Sequence, residues 1–331
     1  MTQITDFGQL PNGQTVQKIS ISGGGLTAQI LTYGATVQDL RLASVAHPMV
    51  LGSPTLLPYL TDFRYFGAIV GRFANRIAGG RFDLDGRTHD LDRNDGGVQT
   101  LHGGAMGAGQ LVWTLVEVTP DSATLQLTMP DGDMGFPGQM QVQARYCLPG
   151  NGALQVEIQA RTTAPTPCSF AHHGYFNLEG AGSVRDHLLQ IDAAHYLPVD
   201  QGLIPTGQIA DVAGTPFDFR TLRPIGDFGY DHNLCLSGTK QPLRQVARLD
   251  GPTSGVVLTV TTTEPGLQVY DGRKIPASGL EGLDGRRYGP HGGLALETQA
   301  WPDAPNHPEF PDCILRPGEV SQQTTIYQFT R

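Results

Sequence analysis

Residues 140–160 read MQVQARYCLPGNGALQVEIQA, two runs of alternating apolar and polar residues separated by Pro-Gly-Asn-Gly. The apolar positions of the two runs are Met140, Val142, Ala144, Tyr146, Leu154, Val156, Ile158 and Ala160. A period of two places such side chains on one face of a strand, whereas a helix would need a period near 3.6. Residues 149–152 have the composition of a tight turn. The segment therefore predicts two strands of an antiparallel sheet.

Other segments show the same alternation or a strand-like composition. They are residues 112–118, 123–129, 256–260 and 324–330. Residues 26–41 predict a strand pair or one long bent strand, interrupted at Gly34, and residues 184–191 are the one weak helix candidate. The 43 glycines and 24 prolines suit short strands joined by tight turns and suit long helices badly.

The whole pattern predicts one all-β domain over residues 1–331, with antiparallel strands in two large packed sheets and very little helix. No repeat, low-complexity linker or block of like charges divides the chain. The hydrophobic share of 39% and the charged share of 16% are those of a globular protein.

Charge and cysteine content limit the partners and the compartment. A formal net charge of −9 opposes binding to nucleic acid and to anionic membranes. The four cysteines, at positions 147, 168, 235 and 313, lack zinc-ligand spacing, which predicts reduced thiols. The sequence shows no signal-peptide pattern and no apolar run of the ~20 residues that a bilayer requires. We expect a cytoplasmic protein, and the sequence leaves its oligomeric state open.

Histidines in unusual surroundings are the first candidates for chemistry. His102 precedes two glycines, and His172 and His173 precede Gly-Tyr-Phe-Asn-Leu. A histidine can exchange a proton near neutral pH, although a single histidine is more often structural. Adjacent residues of a strand point to opposite faces, so only one of His172 and His173 can face a given pocket.

Acidic and amide side chains supply further candidates. Glu297 shares its predicted strand face with Gly293 and Ala295, which leaves room for a ligand, although a solvated glutamate would show the same pattern. Asp231 lies between Tyr230 and His232, where an Asx turn is the simpler interpretation.

The segment 65–86, YFGAIVGRFANRIAGGRFDLDG, places Arg72, Asn75 and Arg76 among glycines and aromatic residues. Their planar hydrogen-bonding groups suit sugar hydroxyls. For Arg72, an ion pair with a buried carboxylate is an equally good interpretation.

Several well-known motifs do not occur in the sequence. It contains no GxGxxG between a strand and a helix, no P-loop, no HExxH and no GxSxG. His172 and His173 also lack the one-residue gap expected of metal ligands on one strand face. Nucleotide-binding, serine-hydrolase and zinc-protease functions therefore have no support.

Eight short segments, in this order along the chain, resemble the aldose 1-epimerase (galactose mutarotase) family. They are 65–86, LHGG (101–104), HGYFNL (173–178), PFDFR (216–220), YDH (230–232), TTTEPGLQVY (261–270), ALETQAWPDAPNHPEFP (295–311) and LRPGE (315–319). The resemblance implies a large antiparallel β-sandwich of the galactose mutarotase type, with the sugar in an open cleft and no metal or other cofactor.

The resemblance also implies roles for individual residues. It implies His173 as general acid and Glu297 as general base. The residues implied to bind the sugar are Asn75, Arg76, His102, Asp231 and Gln268. The sequence departs from the family at His172, where an Asn is usual, and at residues 98–100, where the approach to LHGG is usually Asn-rich.

The expected activity is interconversion of the α and β anomers of free aldohexoses such as galactose and glucose. One group takes the C1 hydroxyl proton while the other protonates the ring oxygen, and we expect Glu297 ionised and His173 protonated in the productive complex. The alternatives are a sugar-binding module without turnover, a sugar-phosphate epimerase of the same fold, and a metal-dependent isomerase.

Overall fold

The computed structural model describes residues 3–331, which form strands connected by turns and short helical segments. The helical segments in this range are single turns of 3₁₀ helix: Leu57–Leu60, Ala78–Gly80, Ala108–Gln110, Asp133–Gly135, Val184–Asp186, Leu283–Gly285 and Ala304–Asn306. None of the helices between residues 3 and 331 has the length and apolar character that a membrane span requires. The prediction of an all-β chain with very little helix is confirmed.

The strands are numbered in chain order. In the first half of the chain they are β1 (Gln3–Gln9), β2 (Thr15–Gly23), β3 (Leu26–Leu31), β4 (Thr36–Leu42), β5 (Ile69–Val70), β6 (Arg76–Ile77), β7 (Arg81–Leu84), β8 (Arg87–Asp90), β9 (Thr100–Leu101), β10 (Thr114–Val118), β11 (Ser122–Met129), β12 (Met140–Gly150), β13 (Ala153–Thr162) and β14 (Thr166–Pro167). In the second half they are β15 (Ala171–His172), β16 (Tyr175–Phe176), β17 (Leu188–Ile191), β18 (His195–Tyr196), β19 (Ala210–Asp211), β20 (Arg223–Pro224), β21 (Asp231–Cys235), β22 (Arg244–Asp250), β23 (Val257–Thr262), β24 (Gly266–Tyr270), β25 (Leu280–Glu281), β26 (Arg287–Tyr288), β27 (Leu294–Gln299), β28 (Ile314–Leu315) and β29 (Ser321–Thr330).

The largest sheet has nine strands in the order β10-β11-β12-β13-β29-β23-β22-β17-β20. Strands β12 and β13 are the two predicted from residues 140–160, and their alternating apolar side chains are buried. Asn151 and Gly152 connect them with φ angles of 53° and 69°. These left-handed conformations suit the tight hairpin turn that the sequence predicts.

A six-stranded sheet, in the order β16-β27-β24-β21-β18-β19, lies against the nine-stranded sheet. Leu267 and Val269 of β24 and Leu294 and Leu296 of β27 point into the core that the two sheets share. The hydroxyl of Tyr327, on β29, also donates a hydrogen bond to the Leu296 carbonyl at 3.1 Å. Because side chains alternate along a strand, the opposite face of β24 and β27 is directed away from this core.

A four-stranded sheet, β1-β2-β3-β4, contributes further side chains to the shared core, among them Ile19, Ala28 and Ile30. Residues 26–41 therefore form a strand pair, and Gly34 lies in the turn between the strands with a φ of 66°. This agrees with one of the two predicted alternatives.

The helix prediction for residues 184–191 is wrong. The structure has one 3₁₀ turn, Val184–Asp186, followed by strand β17. Leu189 and Ile191 of β17 are both buried in the core of the sandwich, and β17 pairs with β20 and β22. Pairing with these neighbouring strands outweighs the local preference of so short a segment.

Candidate active site

A cavity of about 170 Å³ opens on the polar face of the six-stranded sheet. Six of the seven predicted site residues line it: Asn75, Arg76, His102, His173, Asp231 and Glu297. The remaining wall is formed by Tyr65, Leu101, Tyr175, Tyr270 and Lys274. Folding thus brings together residues that are more than 200 positions apart in sequence.

Strands β21, β24 and β27 form the floor of the cavity. Gln268 pairs with Glu297 in the register of β24 and β27, and Tyr270 pairs with Asp231 in the register of β21 and β24. The side chain of Gln268 lies beside the cavity, where its Nε2 donates to Asp231 Oδ1 at 2.7 Å. Gln268 therefore fixes the orientation of the Asp231 carboxylate.

The two adjacent histidines point in opposite directions. The backbone N–H of His173 donates to the Ala68 carbonyl at 2.8 Å, and this anchors its side chain in the cavity between Tyr65 and Tyr175. His172 instead points into the core, where its ring centroid lies 5.4 Å from that of Tyr327. This is the alternation that the strand interpretation predicts, and it places His173 at the cavity.

His173 and Glu297 form the closest acid–base pair of the cavity, with Nε2 of His173 and Oε1 of Glu297 separated by 3.6 Å. The two side chains are only 5% and 2% exposed. Burial raises the pKa of Glu297 well above its ordinary value, and the nearby Asp231 carboxylate adds to this effect. Burial also lowers the pKa of His173 to about 4.

Both shifts favour the neutral forms of the pair. This differs from the ionised Glu297 and protonated His173 expected for the productive complex. The two arrangements nevertheless contain the same number of protons, because the proton that His173 lacks is carried by Glu297. The pair thus holds one transferable proton together with one site that can accept a proton.

The pairing of β6 with β9 positions His102, because Asn75 precedes β6 and His102 follows β9. Asn75 and His102 have left-handed φ angles of 65° and 53°. The Asn75 backbone N–H donates to His102 Nδ1 at 3.1 Å, and the His102 N–H donates to the Asn75 carbonyl at 2.9 Å. Because Nδ1 is an acceptor, the proton of the neutral ring lies on Nε2. Burial, together with the nearby His173, lowers the pKa of His102 well below its ordinary value, so the ring stays neutral.

Potential metal ligands occur in this cavity, since nitrogen or oxygen atoms of His102, His173 and Glu297 all lie within 4.8 Å of one another. A histidine that binds a metal through Nε2 must be deprotonated at that atom. The Asn75 N–H holds His102 in the opposite tautomer, with a proton on Nε2. These residues therefore suit a hydrogen-bonded ligand better than a metal ion.

The arginines of segment 65–86 have different environments. Arg76 lines the cavity and its Nε donates to Asp95 Oδ2 at 2.8 Å. Arg72 is fully buried elsewhere, where its Nη1 donates to the carbonyl oxygens of Pro137 and Gly138. Of the two interpretations left open for Arg72, the structure agrees with the structural one, although carbonyl groups of another loop hold its guanidinium and not a carboxylate.

Two kinds of cavity residue could not be identified from the sequence. Tyr65, Tyr175 and Tyr270 lie within segments that resemble the family, but nothing in a single sequence separates a ligand-facing tyrosine from a core tyrosine. Lys274 lies outside all of those segments. An exposed lysine in a turn gives no sequence signal of a site, because most such lysines are solvated.

Comparisons with known proteins identify the family of the chain. Residues 17–328 match the family model described as Aldose 1-epimerase. The chain is 42% identical to galactose mutarotase of Bos taurus over 98% of this chain and 97% of the relative. It is 36% identical to aldose 1-epimerase of Escherichia coli strain K12 over 96% of both chains.

Solved structures show the same architecture. An aldose epimerase homologue from C. elegans superposes with a TM-score of 0.89 at 30% identity, over 95% of this chain and 98% of that one. Galactose 1-epimerase from Lactobacillus acidophilus gives a TM-score of 0.85 at 28% identity, over 100% of this chain and 98% of that one. The predicted sandwich of the galactose mutarotase type is confirmed, and the chain belongs to the aldose 1-epimerase family of isomerases.

Proposed function

We propose that this protein interconverts the α and β anomers of free aldohexoses, galactose and glucose among them, by opening and reclosing the sugar ring. The proposal rests on the 3.6 Å separation of His173 Nε2 and Glu297 Oε1 at the floor of the cavity. In a cyclic aldose the C1 carbon bears both the O1 hydroxyl and the ring oxygen O5. An acid and a base this close together can therefore reach both oxygens. The mutarotase names of the relatives support the choice of substrate.

Two proton transfers accomplish the reaction. Glu297 accepts the O1 proton as the C1–O5 bond breaks, and His173 donates a proton to O5, which leaves an open-chain aldehyde. Rotation about C1–C2 presents the other face of the carbonyl. Glu297 then returns its proton to O1 while His173 recovers its proton from O5, and the ring closes to the other anomer. The pair ends in its starting state, and no oxidant or reductant is consumed.

Substrate binding favours the charged arrangement that this cycle requires. A sugar whose O1 hydroxyl donates to Glu297 stabilises the ionised carboxylate. Acceptance of a hydrogen bond by O5 stabilises the protonated His173 in the same way. The bound sugar thereby opposes the effect of burial and shifts the shared proton from Glu297 to His173.

The other polar residues of the cavity bind and orient the sugar in this proposal. His102 presents an Nε2–H donor, Arg76 presents a guanidinium, and Asp231 presents a carboxylate as acceptor. The Asn75 side-chain oxygen accepts the Arg76 backbone N–H at 2.8 Å, which leaves its amide nitrogen available to a hydroxyl group. Gln268 contributes by orienting Asp231.

We also propose that residues 1–331 act as one mutarotase domain in the cytoplasm. The domain assignment is supported by the main hydrophobic core, which contains residues from Ile19 to Phe329. The location is supported by Cys147, Cys168, Cys235 and Cys313, which are all free thiols, as is usual in a reducing compartment.

Polarimetry of freshly dissolved α-D-galactose and α-D-glucose tests the activity, with protein that has been treated with EDTA. We expect faster decay to the equilibrium rotation than in buffer alone. Glu297→Gln should remove nearly all turnover, because the amide cannot accept the O1 proton, while calorimetry should still detect sugar binding. Sugar binding without any acceleration by the unmodified protein would identify a binding module and contradict the proposal.

A matched control is Glu264→Gln, which changes a glutamate that is equally buried but is paired with Lys240 outside the cavity. We expect this variant to retain turnover. Loss of activity in both variants, with an altered circular dichroism spectrum, would indicate misfolding and would remove the evidence for a catalytic Glu297.

A further inference from the structure

The loop between β8 and β9 holds Asp95 in a fixed position. The Asp95 N–H donates to the Gln99 carbonyl at 3.0 Å, and the Gln99 N–H donates to the Asp95 carbonyl at 3.2 Å. The neighbouring Asn94 contacts both backbone groups of Leu101, since its Oδ1 accepts the N–H at 2.8 Å and its Nδ2 donates to the carbonyl at 2.9 Å. These bonds attach the backbone of Asp95 to strand β9.

The side chain of Asp95 is directed at Arg76. Asp95 Oδ2 accepts the Arg76 Nε–H at 2.8 Å, and no other hydrogen bond within residues 3–331 involves the Asp95 carboxylate. The Arg76 side chain is only 8% exposed, and that of Asp95 is 32% exposed. A charge-assisted hydrogen bond to a group so largely withdrawn from water holds its geometry better than one between two solvated side chains.

The contact with Asp95 leaves the two terminal nitrogens of Arg76 for the cavity. Nη1 and Nη2 make no hydrogen bond to any residue between 3 and 331, and both remain accessible where Arg76 lines the cavity. A guanidinium is planar, and its five N–H groups point in fixed relative directions. Because Asp95 holds Nε, it also restricts the directions in which Nη1 and Nη2 can donate before any sugar binds.

The position of Arg76 also affects the proposed base. Burial and the Asp231 carboxylate raise the pKa of Glu297, and the Arg76 guanidinium opposes this rise. Arg76 therefore lies close enough to Glu297 to favour its ionised form. A displaced guanidinium would weaken both its hydrogen bonds to the sugar and its effect on Glu297.

We propose that Asp95 is a positioning residue for the reaction, and that it acts by holding the Arg76 guanidinium toward the sugar. This inference rests on the proposed function and adds a residue that is not part of the cavity wall. Asp95 makes no contact with the sugar in this arrangement. Its contribution to catalysis should therefore disappear when Arg76 is absent.

A double-mutant cycle tests this dependence through kcat/KM for galactose, measured by polarimetry. The variants are Asp95→Ala, Arg76→Met and the combination of both. We expect Asp95→Ala to lower kcat/KM about 5–20-fold in the otherwise unmodified chain and to have no further effect in the Arg76→Met background.

Two further variants separate positioning from a general effect on the fold. Asp95→Asn keeps an oxygen that can accept the Nε–H, so it should recover most of the activity that Asp95→Ala loses. Asp250→Ala removes the aspartate that pairs with Arg248 outside the cavity, and it should keep the activity of the unmodified chain. Thermal unfolding of every variant checks that it folds, and the comparison of Asp95→Ala with Asp95→Asn decides the matter if Arg76→Met does not fold.

The inference and the proposed function fail in different ways. If the unmodified protein turns over galactose but Asp95→Ala lowers kcat/KM by the same factor with and without Arg76, Asp95 does not act through Arg76 and the inference alone fails. Equal losses in Asp95→Ala and Asp95→Asn would also overturn it, because the hydrogen bond to Nε would then be irrelevant. If the unmodified protein does not accelerate mutarotation, the proposed function fails and the inference fails with it.

Discussion

His173 and Glu297 are titratable groups whose protonation is governed mainly by burial. A lowered histidine pKa and a raised glutamate pKa leave the pair with one transferable proton over a broad pH range. When the pair binds a second proton, both groups are protonated and neither can act as the base. When the pair loses its one proton, neither group can act as the acid. Both events stop the proposed reaction.

We therefore expect kcat/KM for galactose to follow a bell-shaped pH profile. The acid limb should lie near pH 4, the pKa to which burial lowers His173, and the alkaline limb should follow the raised pKa of Glu297. Polarimetry from about pH 3.5 to about pH 10, with the spontaneous rate subtracted, measures both limbs. An acid limb near pH 6.5 would contradict the effect of burial on His173.

His172 provides a test of stability at the neighbouring position. Neither of its ring nitrogens has a hydrogen-bond partner within residues 3–331, and burial lowers its pKa from 6.5 to about 3. Between these two values the unfolded chain binds a proton that the folded chain does not bind. The free energy of unfolding therefore falls as the pH is lowered, by up to about 1.4 kcal/mol per pH unit from this residue.

We expect His172→Leu to remove this contribution, because leucine does not titrate and suits the apolar surroundings. The advantage of the variant in unfolding free energy should grow as the pH is lowered from about 6.5 toward about 4. Urea unfolding at several pH values measures it. Equal pH dependence of the unfolding free energy in the two proteins would show that His172 does not destabilise the unmodified chain as the pH is lowered.

At the level of strands, the sequence is informative wherever one face of a strand is buried and the other is solvated. Strands β12 and β13 are of this kind, and their period of two requires no knowledge of the rest of the fold. Strand β27 is buried on both faces, so burial does not distinguish the side of Glu297 from the side that faces the core. The role of Glu297 was therefore implied by the resemblance to the family. Lys274 could not be identified as a cavity residue, because the other walls of the cavity come from segments far away in sequence.

Turns place the polar residues of the cavity, and Gly103 in the turn after His102 has a φ of 83°. A Cβ atom there would lie 2.1 Å from the Gly71 carbonyl oxygen. Gly86 has a similar φ of 76°, but a Cβ atom on it would meet no atom within 4 Å. A comparison of the two glycines therefore distinguishes the cost of a left-handed backbone conformation from the cost of steric overlap.

We expect Gly86→Ala to cost about 1–2 kcal/mol of unfolding free energy, which is the cost of the left-handed conformation. Gly103→Ala should cost a further ~1–3 kcal/mol, because the Gly71 backbone must move to accommodate the methyl group. It should also raise KM for galactose by displacing His102. Urea unfolding and polarimetry of both variants check this, and equal losses of stability would contradict the steric argument.

Across the whole molecule, the nine-stranded sheet depends on the last strand of the chain. Strand β29 lies between β13 and β23, near the middle of the sheet, and Tyr327 and Phe329 are buried in the core. Strand β1, in contrast, lies at the edge of the four-stranded sheet and is largely exposed or half-buried. The two ends of the described chain therefore contribute unequally to stability.

We expect removal of residues 321–331 to prevent folding, because β13 and β23 would lose their shared partner and the core would lose two aromatic rings. Removal of residues 1–9 should give a folded protein with a lower Tm, since an edge strand pairs with one neighbour only. Circular dichroism and thermal unfolding of both truncated chains measure the difference. A folded chain without residues 321–331 would contradict this assignment of the central strand.

The central position of β29 also has a consequence for synthesis on the ribosome. Translation delivers β13 long before β29, and β29 is a partner of both β13 and β23. Until residue 330 has left the exit tunnel, both strands present unpaired edges that invite pairing with other nascent chains. The nine-stranded sheet can close only after β29 has been synthesised, so a cell that produces this protein rapidly should rely on chaperones that shield the edges of β13 and β23 until then.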